Sequence, residues 1–108
     1  MRRGELWTVA GGVYASKPRP ALILQDDVFD ATGSVTVLPL TSIHIAAPLI
    51  RYLVAADDIS GLERDSEVMI DKLTTVRRSN VVYRVGKLTN QQMIEVERLV
   101  AVFLGLAR

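Results

Sequence analysis

The chain has 108 residues, with thirteen basic side chains, twelve acidic ones and a single histidine, for a net charge of +1. Its residues are 49% hydrophobic, enough for one core, and that composition argues against disorder. No cysteine is present, which excludes disulfides, thiol catalysis and thiolate metal sites, and His44 alone cannot build a zinc site or a two-histidine ribonuclease mechanism within one chain.

In chain order, Glu5-Leu6-Trp7-Thr8-Val9 alternates like a half-buried strand, with Trp7 in the core. Gly11-Gly12 then opens a loop that runs to Pro18. Ala21-Leu22-Ile23-Leu24 is continuously apolar and reads as a central strand covered on both faces. Asp26 to Gly33 is a turn, followed by a strand Ser34–Leu38 that Pro39 stops. Ile43 to Leu49 is apolar but interrupted by Pro48, so it reads as a loop. Ile50–Val54, Glu67–Asp71 and Val81–Val85 supply further strands, with Ser60-Gly61 in a connection.

The last segment is helical. Thr89 and Gln92 have the spacing of a capping box, Met93, Val96, Leu99, Val100, Phe103 and Leu104 recur at helical period, and Gly105 suits a left-handed stop. Five to seven short strands with one terminal helix, in a single domain spanning 1–108, predict a mainly β, strongly curved antiparallel barrel. No run reaches the ~18 apolar residues of a membrane span. The first residues lack the apolar stretch of a signal peptide, so a soluble cytoplasmic protein is expected.

Charge is unevenly placed. Lys72, Arg77, Arg78, Arg84 and Lys87 fall in a stretch without acidic residues, while Asp26, Asp27 and Asp30, and later Asp57 to Glu67, gather the carboxylates. A one-sign stretch suits either a polyanion-binding face or solvated strand edges. More specific is Lys17-Pro18-Arg19-Pro20. Proline fixes its own φ and restricts the residue before it, so Arg19 sits on a stiff stalk. A guanidinium held this way can grip a phosphate or carboxylate with its fork, or decorate a protected strand edge.

The ordered set Gly4-Glu5-Leu6-Trp7, Arg19-Pro20-Ala21-Leu22-Ile23-Leu24, Pro39-Leu40-Thr41-Ser42, Gly61-Leu62, Ser66 to Asp71 and Gly86-Lys87-Leu88-Thr89 resembles the MazF/PemK toxins of bacterial type II toxin–antitoxin systems over essentially the whole chain. The resemblance implies an SH3-like barrel of the PemK type with a C-terminal helix, acting as a homodimer. It implies a metal-independent endoribonuclease (an mRNA interferase) that cuts single-stranded RNA at short sequences, needs no cofactor, and is blocked by the acidic, disordered tail of a cognate antitoxin. The family's functional arginine maps to Arg19 and its functional threonine to Thr41, with Ser42 beside it. Two departures stand out. The family's longer first loop carries a glutamate, whereas Ala10 to Lys17 is short and holds no carboxylate, and the family's Asp-Gln pair is Asp71-Lys72 here, adding a cation.

On this reading Arg19 stabilises charge on the phosphorane and Thr41 donates its hydroxyl to a phosphate oxygen. Arg19 is a poor base, because its pKa exceeds ~12. His44, three residues beyond Thr41, is a candidate general base, although its apolar neighbours could equally bury or idle it. Lys17, Ser42 and Lys72 are candidate phosphate contacts, and Tyr14 could stack on a base. Two other functions fit a barrel of this kind: a gyrase poison of the same fold, and a non-catalytic nucleic-acid-binding barrel using the Lys72–Lys87 stretch.

Overall fold

A computed structural model of the chain describes residues 1–11 and 14–107, and for 14–16 the backbone alone. Strands β1 (Glu5–Gly11), β2 (Tyr14–Ile23), β3 (Ser34–Thr41), β4 (Arg51–Val54), β5 (Ser66–Met69), β6 (Thr74–Arg77) and β7 (Val81–Lys87) precede the helix α1 (Asn90–Phe103). They form one seven-stranded antiparallel sheet in the order β4-β5-β3-β2-β1-β7, with β6 also alongside β3.

The alternation of strand side chains divides the interior into two clusters. Leu6, Leu22, Leu38 and Leu40 pack with Val68, Ile70, and Met93 and Val96 of α1. Val9, Ala21, Ile23, Val35 and Val37 point the other way, where Val76 and Val81 flank them. β2 is thus covered on both faces, as its apolar run predicts. The sheet curls because one edge of β3 is shared: β6 pairs with Ser34 to Val37, and β5 takes over at Leu40 and Thr41.

That sharing explains why Pro39 does not end β3. Pro39 lies opposite Ala21 of β2, in the gap where β6 has ended and β5 has not begun, so no ladder donor is missed on that side. Similarly, the loop expected from Gly11-Gly12 to Pro18 is largely strand. β2 starts at Tyr14 and runs through both prolines, pairing Arg19 with Val9 and Pro20 with Thr8 of β1. β3 joins only from Ala21 onward, so the other edge of the proline segment carries no ladder. Two smaller differences from the sequence pattern are Glu67–Asp71, which is a strand only to Met69 and then a 3-10 turn (Ile70–Lys72), and the additional strand β6. Trp7 is half-buried, packing on the second cluster while its indole N–H donates to Oε1 of Glu5 at 3.0 Å.

The capping box at Thr89 is complete in both directions, and Gly105 has φ +75° just past the helix. Met93 and Val96 are buried, whereas Phe103 and Leu104 at the far end are exposed. Among the described residues no helix is long and apolar enough to cross a membrane.

Candidate active-site cleft

A cleft of about 700 Å³ opens between the middle of β2, the end of β3, the β4–β5 loop and β7. Lys17 and Arg19 reach it from β2, Thr41 and Ser42 from the end of β3, so residues distant in sequence line one wall. Arg19 and Lys17 are exposed and have no ion-pair partner among the described residues. A free guanidinium on a pairing strand is rigid in its stalk and available at its tip.

Thr41 is oriented by its own backbone. Its Oγ1 accepts the amide of Ile43 at 3.1 Å, so the hydroxyl hydrogen remains free to donate to an anion. The chain beyond is tethered from below by Glu67, which pairs with Thr41 in the β3–β5 ladder and is buried. Its Oε1 accepts the Ile45 amide at 3.3 Å, and its Oε2 lies 3.5 Å from Nδ1 of His44. His44 is half-exposed beside this carboxylate and is not part of the cleft lining.

Lys72 is exposed at the end of the 3-10 turn and also lies outside the lining, and its neighbour Asp71 is held in a fork by Arg51, at 3.3 and 3.4 Å. The side chain of Tyr14 lies outside the described residues. The basic stretch from Lys72 to Lys87 does not form one face. Arg78 is spent on the Asp26–Gly33 turn, donating to the carbonyls of Thr32 at 2.6 Å and Phe29 at 3.4 Å, while Arg84 lines the cleft.

Three charged lining residues stand outside the site residues expected from the sequence: Glu63, Arg64, and Arg84, which the sequence marks only as part of the basic stretch. The β4–β5 loop delivers the first two through a dense turn. Oδ1 of Asp57 accepts the amides of Ile59 and Ser60, the Ser60 hydroxyl donates to the carbonyl of Ala55, and Oδ1 of Asp65 accepts the amide of Ala56. Leu62 is then driven into the core, leaving Glu63 and Arg64 exposed at the rim. Arg84 donates from Nε to Oε2 of Glu5 at 2.9 Å. Burial alone would raise the Glu5 carboxyl, but hydrogen bonds from Trp7, the Arg2 amide and Arg84, together with the charge of Arg84, outweigh it and hold the group below its ordinary value.

A second cleft, about 790 Å³, holds Arg84 and Lys87 of the basic stretch but none of Lys17, Arg19, Thr41 and Ser42. It runs between Arg2–Glu5, the end of β7 and the first turns of α1. The smaller cleft is the candidate site, since it combines unpaired cations with oriented hydroxyls and a carboxylate.

The class of protein is set by its fold, a small curled antiparallel β-barrel closed by one C-terminal helix, with a cation-lined cleft on one side. Residues 2–104 match the family of PemK-like, MazF-like toxins of type II toxin–antitoxin systems, and the chain belongs to that family. It is 50% identical over 108 residues to a probable endoribonuclease MazF of Mycolicibacterium smegmatis, covering 99% of each chain. It is 29% identical over 89 residues to the endoribonuclease MazF6 of Mycobacterium tuberculosis, covering 81% of this chain and 78% of that one. Among solved structures, the M. tuberculosis toxin MazF-mt6 superposes with a TM-score of 0.82 at 23% identity, over 96% of this chain and 99% of that one. A mycobacterial endoribonuclease in complex with its cognate antitoxin gives 0.81 at 21% identity, over 100% and 98%. At that identity the structural likeness carries the fold alone, whereas the curated relatives carry the enzyme class, endoribonuclease.

Proposed function

We propose that the chain is the toxin of a type II pair and cleaves single-stranded RNA at short sequences, without a metal or other cofactor, through the Arg19–Thr41 cleft, thereby arresting translation. The observation that carries this reading is the convergence of an unpaired guanidinium from β2 and a pre-oriented hydroxyl from β3 on one cleft. The scissile phosphate sits between them. Arg19 forks two non-bridging oxygens, Thr41 donates to one of them, and Lys17 and Ser42 hold neighbouring phosphate oxygens. The 2′-oxygen attacks phosphorus in line as the bond to the 5′-oxygen breaks. Glu63, the carboxylate lining the cleft, accepts the 2′-hydroxyl proton, and the leaving 5′-oxygen takes a proton from solvent, to which the cleft is open. Products are a 2′,3′-cyclic phosphate and a 5′-hydroxyl.

The whole chain 1–108 acts as one catalytic domain in the cytoplasm. Exposed apolar residues at the end of α1, among them Val102, Phe103, Leu104 and Leu106, support pairing with a second copy. The cations lining the cleft support inhibition by an acidic, disordered antitoxin tail. The test is incubation of purified protein with a long RNA in chelator, followed by end-group analysis. Cyclic phosphate ends at recurrent short sequences are expected. Intact RNA, or ends bearing 3′-hydroxyls, would overturn the reading.

A further inference from the structure

The second cleft shares a wall with the first: Arg84 lines both. From Arg84 the lining continues to Lys87 at the end of β7 and to Arg2 and Arg3 near the N-terminus. Two carboxylates also face the cleft, but both are already neutralised. Glu5 is bound by Arg84 at 2.9 Å, and Glu97 by Arg3 at 3.1 Å. Lys87 has no ion-pair partner among the described residues, and Arg2, largely exposed, is ion-paired at 3.7 Å with Asp27, which lies outside the cleft lining. The cleft therefore carries a surplus of positive charge next to the site that holds the scissile phosphate.

We infer that this second cleft is a subsite for the sugar–phosphate backbone of the RNA strand that flanks the cut, entered by way of Arg84. The inference rests on the nuclease reading of the first cleft. An RNA strand leaving Arg19 presents another anionic phosphate at every nucleotide, and the neighbouring surplus of cations is where those phosphates are neutralised. Among the described residues the cleft has no aromatic lining, so they offer no platform on which a base could stack. Its floor is aliphatic, from Ile59, Leu88, Met93 and Ile94. It accordingly contributes affinity for length and not choice of sequence, because phosphate contacts position a strand without reading it.

The test compares two RNAs carrying the same mapped cleavage sequence, one of about 5 nucleotides and one extended to about 16. The wild-type chain should show a lower KM for the longer RNA. In Arg2→Gln/Lys87→Gln that advantage should shrink by about tenfold, and the slope of log KM against log salt for the long RNA should fall by roughly 1.4, the value for two single-strand phosphates. Lys87→Gln alone should shift the ratio in the same direction by less. An unchanged long-to-short KM ratio in both variants, with cleavage intact, would overturn the subsite alone. So would variants that keep the ratio but lose inhibition by an acidic peptide, since the cleft would then serve a protein partner. Failure of the wild-type chain to cut either RNA would overturn the nuclease reading and the subsite with it.

Discussion

Arg84 and Glu5 form a 2.9 Å ion pair across the β1–β7 ladder, and that pair stands at the junction of the two clefts. Glu5 fixes the direction of a guanidinium that would otherwise swing in solvent, with the Trp7 indole and the Arg2 amide completing the carboxylate's shell. Its folded-state pKa is depressed, so its contribution to stability is fully present above the ordinary glutamate value and is lost as pH falls from there through the folded value. Glu5→Gln should lower the Tm at neutral pH by roughly 4 °C, equivalent to about 1 kcal/mol, the half-exposed Arg84 partner limiting the loss. Thermal melts should show the gap between wild type and variant closing across that acidic window. A gap that stays constant to the lowest pH would rule out the carboxylate as its source.

Arg19 makes no side-chain hydrogen bond or ion pair among the described residues, so its removal should spare the fold and strike the chemistry. Arg19→Ala is expected to reduce kcat by about 10²–10³, the usual effect of deleting one transition-state donor. Arg19→Lys should recover little, because an ammonium cannot replace a fork on two phosphoryl oxygens. Thr41→Val, nearly isosteric, should cost less than Arg19→Ala, and Thr41→Ser should retain most activity. Single-turnover cleavage with Tm as a control separates these effects, and an Arg19→Ala protein cutting at the wild-type rate would remove Arg19 from the mechanism.

Glu63 is exposed and makes no structural hydrogen bond through its side chain among the described residues. Glu63→Gln keeps shape and removes the base, so kcat should fall by about 10²–10⁴ with the melting temperature near wild type. A normal kcat in Glu63→Gln would return the proton-transfer role to another group.

Glu67 works on the opposite side of Thr41, beneath the loop. Glu67→Ala strands the Ile45 amide and frees His44, and the cost should be about 1–3 kcal/mol of stability. Because the same tether holds the chain just after Thr41, RNA cleavage should drop as well, chiefly through kcat. Glu67→Gln, which can still accept from Ile45, should restore most of both. Equal losses in the two variants would show that charge, not tethering, is what Glu67 supplies.

The strand content and the capped helix are legible in the sequence because each rests on local chemistry, period-two alternation and a Thr89–Gln92 box. The prolines mark Arg19 as stiffly held, but its association with Thr41 follows only from the family resemblance. The sequence misled where a local rule met a tertiary exception. Pro20 and Pro39 look like strand breakers, yet each occupies a ladder position that needs no donor on one edge, a fact set by where β3 and its partners begin and end, while Pro18 falls in the irregular stretch of β2 between its pairs at Tyr14 and Arg19. β6 escaped notice because Thr74-Thr75-Val76-Arg77 is short and has a single aliphatic residue. Glu63, Arg64 and Arg84 were hidden for a related reason. The first two sit in an acidic loop and the third in a basic stretch, and only long-range docking of that loop onto β7 brings them to the cleft.

That docking depends on two glycines facing each other. Gly61 has φ +67°, and a Cβ there would collide with the carbonyl of Val85; a Cβ on Gly86 would collide with the carbonyl of Ser60. The contacts are backbone on backbone, so no side chain can swing aside, and Gly61 carries a conformational penalty as well. Lys87 donates its amide to the carbonyl of Ile59 at 3.0 Å just beside this contact, locking loop to strand. Gly86→Ala and Gly61→Ala should each destabilise the fold by about 2–4 kcal/mol. In whatever fraction remains folded, the β4–β5 loop should lift away from β7, carrying Glu63 and Arg64 off the cleft. RNA cleavage should therefore fall further than the loss of folded protein accounts for. The comparison is kcat per folded molecule, with the folded fraction taken from denaturant titration. A variant whose activity merely tracks its folded fraction would show that the loop's seat on β7 matters to stability alone.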